Sequence, residues 1–98
     1  MAFTDDNELI ELIDASVQDQ AKALELLKAN PDLIARRNRL EETALHFLAV
    51  ENFPSGVEFL CSHGAEVDSV DFSNATPLFH AASLRYEEIV RVLLNHAQ

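Results

Sequence analysis

The chain has 98 residues, 48% apolar and 24% charged, with 17 acids against 7 bases and a formal net charge of −10. The length suits one domain, and the acidic balance repels phosphate backbones and anionic bilayers, so neither nucleic acid nor a membrane is expected as a partner. The single Cys61 rules out an internal disulfide, no run is long and apolar enough to span a bilayer, and the acidic MAFTDDNEL start lacks the positive charge of a signal peptide; a soluble, cytoplasmic protein is expected.

In chain order, NELIELIDASVQD reads as a first helix, and Asp5 followed by Glu8 gives a start signal of capping-box type. QAKALELLKAN reads as a second helix with Leu24, Leu26 and Leu27 on its apolar side, and Asn30-Pro31-Asp32 stops it. Arg36, Arg37 and Arg39 follow as the one basic cluster. They are expected to neutralise neighbouring acids, the alternative being a grip on a phosphorylated partner. Thr43 then serves as the N-cap of ALHFLAVE. A break at ENFPS leads into GVEFLCSH, which Gly64 terminates. AEVDSVDFSN runs on to Thr76, with Pro77 suited to the first turn of PLFHAASL. After RYEE, the last helix IVRVLLNH is too apolar for one exposed stripe and needs cover on more than one side.

These elements repeat. TALHFLA at residues 43–49 returns as TPLFHAA at 76–82, 33 residues on. In the same register Leu45 falls on Leu78, Ala49 on Ala82, Val57 on Val90, Leu60 on Leu93 and His63 on His96. The matches are mainly small or apolar and the mismatches mainly polar, as repeated packing positions require. The 33-residue period, the TALH and TPLF openings, the V-x-x-L runs and His63-Gly64-Ala65 resemble the ankyrin repeat. Phe79 stands where the family has His, Asn52 and Arg85 stand where it favours Gly, and Glu41 and Asn74 stand at the finger Gly. Residues 1–42 resemble an N-terminal version of the unit. The resemblance implies an all-α solenoid of antiparallel helix pairs joined by finger-like β-turns. One domain would cover 1–98, with a capping unit over 5–37, a middle unit over 38–70 and a last unit over 71–98.

The resemblance also implies a non-enzymatic module that binds a protein partner with its finger tips and the exposed side of its first helices. Carried over by position, this gives Arg39, Leu40, Glu42, Val50 and Glu51 in the middle unit. The last unit gives Phe72, Ser73, Ala75, Ser83 and Leu84, and the first gives Ser16 and Val17. Leu40, Val50, Phe72 and Leu84 are expected to form one apolar patch rimmed by acids. His46 is expected to hydrogen-bond within its own turn.

Residues 43–75 hold Glu51, Glu58, Glu66, Asp68 and Asp71 but no Lys or Arg. A basic partner is therefore attractive, and an acidic inhibitor or immunity-type protein blocking a basic enzyme site is the alternative function. A further alternative is the N-terminal part of a longer ankyrin scaffold. Self-association is expected through the last helix pair, where Leu84, Ile89, Val92 and Leu93 would leave apolar area uncovered. The four His have no tight ligand spacing, so no metal or other cofactor is expected. Cys61, within VEFLC, reads as a buried small hydrophobe. No nucleophile elbow, phosphate loop or zinc motif occurs.

Overall fold

All the helices but the last begin where the sequence supplies a side-chain acceptor or a proline. The computed structural model describes residues 6–97, and among these there are six α-helices and no strand. Helix α1 spans Asn7–Gln18, with Asp6 accepting from the N–H groups of Glu8 and Leu9. Asp6 thus takes the capping role; Asp5 lies outside the described residues. Asp19 caps α2, Gln20–Ala29, through the Lys22 N–H. Pro31 then opens a 3-10 helix over Pro31–Ala35.

Thr43 caps α3, Ala44–Val50, and Thr76 caps α5, Pro77–Ser83. The outer helices start earlier than expected. Helix α4 spans Pro54–Ser62, because Pro54 carries the fixed φ of a first helical residue. Helix α6 spans Glu87–His96, with Glu87 and Glu88 in the first turn, where acids favour the helix dipole.

Gly64, at φ 100°, ends α4 as expected. The Ala65 N–H bonds to the Leu60 carbonyl and the Gly64 N–H to that of Cys61, a Schellman closure. Asn52 and Arg85 close α3 and α5 in the same way at φ 65° and 63°. The backbone geometry is kept without the glycine, at a steric cost that falls more on Arg than on Asn.

Helices α1, α3 and α5 pack side by side, and α4 seats on both α1 and α6. Leu9, Leu12, Leu45, Leu48, Val57, Leu60, Ile89 and Leu93 interlock as the core between these layers. Each fully buried leucine contributes roughly 1.5–3 kcal/mol by leaving water. Small residues set the spacing. A Cβ on Gly56 would come within 2.8 Å of Leu48 Cδ1 and 3.3 Å of Val17 Cγ2, so its absence lets α4 approach both α1 and α3.

Two packing expectations are corrected. On α2 the inward residue is Ala23, while Leu24 is exposed and Leu26 and Leu27 are half-buried. The short side chain fits where the helices approach closely; Leu26 and Leu27 still pack against the core, as expected, and Leu24 alone of the three is exposed. In the last pair Ile89 and Leu93 are fully covered by the core, and the exposed apolar residues there are Phe79, Leu84 and Leu94.

Candidate functional site: fingers and the outward side of the inner helices

Two fingers separate the helix pairs, and each turns on one Asx side chain. Asn38 Oδ1 accepts from the N–H groups of Leu40 and Glu42, at 2.8 and 2.9 Å. Thirty-three residues on, Asp71 Oδ1 accepts from Ser73 and Ala75, at 2.9 and 3.0 Å. Backbone bonds from Asn38 N to Glu42 O and from Asp71 N to Ala75 O close the two turns. Glu41 and Asn74 occupy the left-handed corner at φ 62° and 65°. The fingers are bound to each other: Phe72 N–H donates to the Leu40 carbonyl, and Arg37 Nη1 donates at 2.6 Å to the carbonyls of both Glu41 and Val70.

The basic cluster therefore splits into three roles. Arg36 does neutralise acids, pairing with Asp6 at 3.1 Å and Glu8 at 2.9 Å. Burial alone would raise the Asp6 carboxyl, but the bond from Arg36 and the N–H groups of the helix start hold it below its ordinary value. Arg37 is a brace on backbone oxygens. Arg39 is exposed.

His46 links the units. Its Nδ1 accepts from the Thr43 N–H at 3.2 Å, completing the capping box, as expected for the TALH turn. Its Nε2 reaches further and donates at 3.0 Å to the carbonyl of Ala75, at the base of the next finger. The ring is 1% exposed, and burial pushes its pKa below the ordinary His value. Beside it, His80 Nε2 meets Asp71 Oδ2 at 2.8 Å. Desolvation would raise the Asp71 carboxyl, yet the bonds from His80, Ala75 and Ser73 outweigh it and hold it low.

The residues expected to touch a partner separate into groups. Arg39, Leu40, Phe72 and Ser73 stand on the paired fingers, with Phe72 69% exposed and Leu40 half-buried. Glu42, Val50 and Glu51 line one shallow cavity together with Phe47. Ser83 and Leu84 are exposed at the far end of α5, about 10 Å along the helix from its finger. The expected single apolar patch is thus divided. Ala75 is buried and accepts from His46, so it serves packing instead of a grip. Ser16 is fully buried with its hydroxyl donating to the Leu12 carbonyl, and Val17 is half-buried.

Sequence reasoning overlooked the turn-capping roles of Asn38 and Asp71, read Arg37 as neutralising acids or gripping a phosphorylated partner, and gave Phe47 no role. The first two carried a signal, an Asn and an Asp one period apart, each three residues before a left-handed corner. Arg37 had none, because its acceptors are backbone atoms up to 33 residues away.

The cysteine of the outer layer is not activated. Burial, and secondarily the charge of Glu58, pushes the Cys61 thiol up to about 11. His63 Nδ1 donates to the Phe59 carbonyl at 2.8 Å. A thiol so raised is a poor nucleophile. Among the described residues no group of three or more His, Cys, Asp and Glu is gathered for a metal, and no helix is long and apolar enough to cross a membrane.

Comparison with known proteins agrees with this geometry. A family model for ankyrin repeats matches residues 12–98 as three copies. The serine/threonine-protein kinase VIK of Arabidopsis thaliana is 29% identical over 82 residues, covering 84% of this chain and 19% of the kinase. A chain in the solved complex of the Bd0816 predatory endopeptidase from Bdellovibrio bacteriovorus with immunity protein Bd3460 aligns at a TM-score of 0.76 and 26% identity. That alignment covers 86% of this chain and 44% of the other. This chain therefore spans less than half the length of either relative. With its 33-residue register, paired fingers and matched family model, the chain belongs to the ankyrin-repeat family, whose stacked units mediate protein–protein interaction.

Proposed function

We propose that the chain is a non-catalytic module that holds one protein partner across its fingers and the outward side of α3. Residues Arg39, Leu40, Glu42, Val50, Glu51, Phe72 and Ser73 would make the contact, with Ser83 and Leu84 at its margin. The observation that carries this reading is Phe72. It is a large aromatic, 69% exposed, on a finger locked by Asp71 and Arg37. An exposed aromatic on rigid backbone loses little entropy on binding and suits a hot spot. The test is affinity capture from native lysate with wild type and with Phe72→Asp, the variant first shown to stay folded by circular dichroism. A partner recovered by wild type and lost by the variant supports the reading; equal recovery overturns it.

A second reading is an acidic inhibitor or immunity-type protein set against a basic enzyme site. It is favoured by the net charge of −10, by the base-free stretch 43–75, and by likeness to a chain from an endopeptidase–immunity protein complex. An association rate that falls steeply with added salt supports it, and a salt-independent rate discards it. We also propose a cytoplasmic setting, which suits a lone unpaired cysteine. Self-association through Phe79, Leu84 and Leu94 is proposed on their exposure; a monomeric mass by light scattering at high concentration would remove it.

A further inference from the structure

We propose that the cavity lined by Glu42, Phe47, Val50 and Glu51 receives an arginine side chain of the protein partner. The inference rests on the reading of the fingers and the outward side of α3 as the partner surface, and names what that surface recognises.

Helix α3 buries Ala44, Leu45, His46, Leu48 and Ala49. Its remaining outward residues are Phe47 and Val50, and the C-cap Glu51 continues the same face, at spacings i, i+3 and i+4. Glu42, just ahead of the Thr43 cap, closes the other end. The resulting hollow of about 80 Å³ has an apolar floor of Phe47 and Val50 between two carboxylates. The carboxylates differ in state. Glu42 Oε1 accepts from Asn38 Nδ2 at 2.9 Å, which fixes its position at the finger base. The Glu51 side chain is exposed and has no side-chain partner among the described residues.

A cationic side chain is the chemistry that satisfies all four residues. Its alkyl stem lies on Val50 and Phe47, and its charge meets Glu51, with Glu42 adding to the field. Guanidinium fits better than ammonium. It is planar, stacks on an aromatic face and presents a fork of donors to a carboxylate. Among the described residues no Lys or Arg forms an ion pair with either acid.

The repeat register separates this feature from fold maintenance. One period on, Glu42, Phe47, Val50 and Glu51 become Ala75, His80, Ser83 and Leu84. The last unit folds into the same helix pair without either acid or the aromatic floor. The four residues are therefore not what the repeat requires, whereas the buried leucines recur.

The test uses the full chain, labelled with nitrogen-15 and titrated with N-acetyl-arginine-N-methylamide. The lysine, citrulline and norleucine counterparts are run in parallel. Expected are saturable shifts of the Phe47, Val50 and Glu51 amides with the arginine probe, smaller ones with lysine, and none with citrulline or norleucine. Glu51→Gln should weaken the arginine probe about threefold. Glu25→Gln, which removes an exposed acid from α2, should leave it unchanged. Equal effects of the two variants, or shifts spread evenly over the acidic surface, overturn the proposal. Measured against a captured partner, loss with Phe72→Asp but full affinity with Glu51→Gln sinks the arginine subsite alone. A partner indifferent to both variants sinks the reading of the fingers and α3 as the partner surface with it.

Discussion

The middle and last units share a backbone and differ in what their neighbours ask of them. Position 46 is a His, 1% exposed, that joins Thr43 to the carbonyl of Ala75; one period later Phe79 is 60% exposed and its ring meets the edge of neighbouring His80 instead of bridging two turns. Thr76 still caps α5 through the Phe79 N–H, but the reciprocal bond of the capping box is gone. The cap belongs to the single unit, while the His bridge belongs to the seam between units. A repeat protein therefore carries two sets of positions, one that builds each unit and one that couples it to the next.

Core truncation should break this comparison most sharply. Leu60→Ala, in the fully buried middle layer, is expected to cost about 2–5 kcal/mol by chemical denaturation. Leu94→Ala, at 55% exposure in the last helix, should cost under about 0.5 kcal/mol. Comparable losses would mean that α6 is covered in solution.

Exchanging the seam residue comes next. His46→Phe copies the last unit into the middle one, leaving the Thr43 N–H without its acceptor and the Ala75 carbonyl with only the Asp71 N–H; a loss of about 1–3 kcal/mol is expected. Phe79→His should be nearly neutral. Equal effects of the two exchanges would remove the seam role.

Acidity sharpens the same point. Folded His46 resists protonation, so the unfolded chain takes up the proton first as pH falls below the ordinary His value of 6.5. Stability from His46 is present above that value and is lost as pH drops toward the lowered folded value. Asp71 adds a second loss at lower pH, because its folded carboxyl sits below 3.8 and its contribution fades as pH falls through that region. Denaturation midpoints from pH 7 to 5 should decline less in a His46→Gln variant than in wild type. Parallel slopes would acquit His46.

The smallest effects lie at the left-handed corners. Arg85→Gly and Glu41→Gly relieve a Cβ clash, partly offset by a more flexible unfolded chain. Each should raise stability by up to about 1 kcal/mol in thermal melts. Asn52→Gly and Asn74→Gly should gain less, since Asn tolerates this region better.

Much of the architecture was legible because packing positions repeat. Leu45, Val57, Leu60 and Leu93 announce themselves by period, and Thr43, Thr76 and Gly64 by local chemistry that needs no neighbour. The site was less legible, since exposure depends on which neighbour arrives. Ala75 and Ser16 stand at surface positions by analogy, yet close packing and hydrogen bonds draw them inside. Leu24 and Ala23 show the same limit: hydrophobicity ranks them one way, and helix proximity ranks them the other. Arg37 was unreadable as a brace, because a carbonyl acceptor leaves no trace in the residue type that carries it.

The Arg37 brace also bears on the thermodynamics of capture. Its two bonds hold the neighbouring fingers in one arrangement before any partner arrives. Fingers already held this way have little to order on contact, so this chain should add little beyond the interface area to the heat-capacity change of the proposed binding. Calorimetry at several temperatures, read against the area of a captured partner's interface, measures how rigid the fingers are.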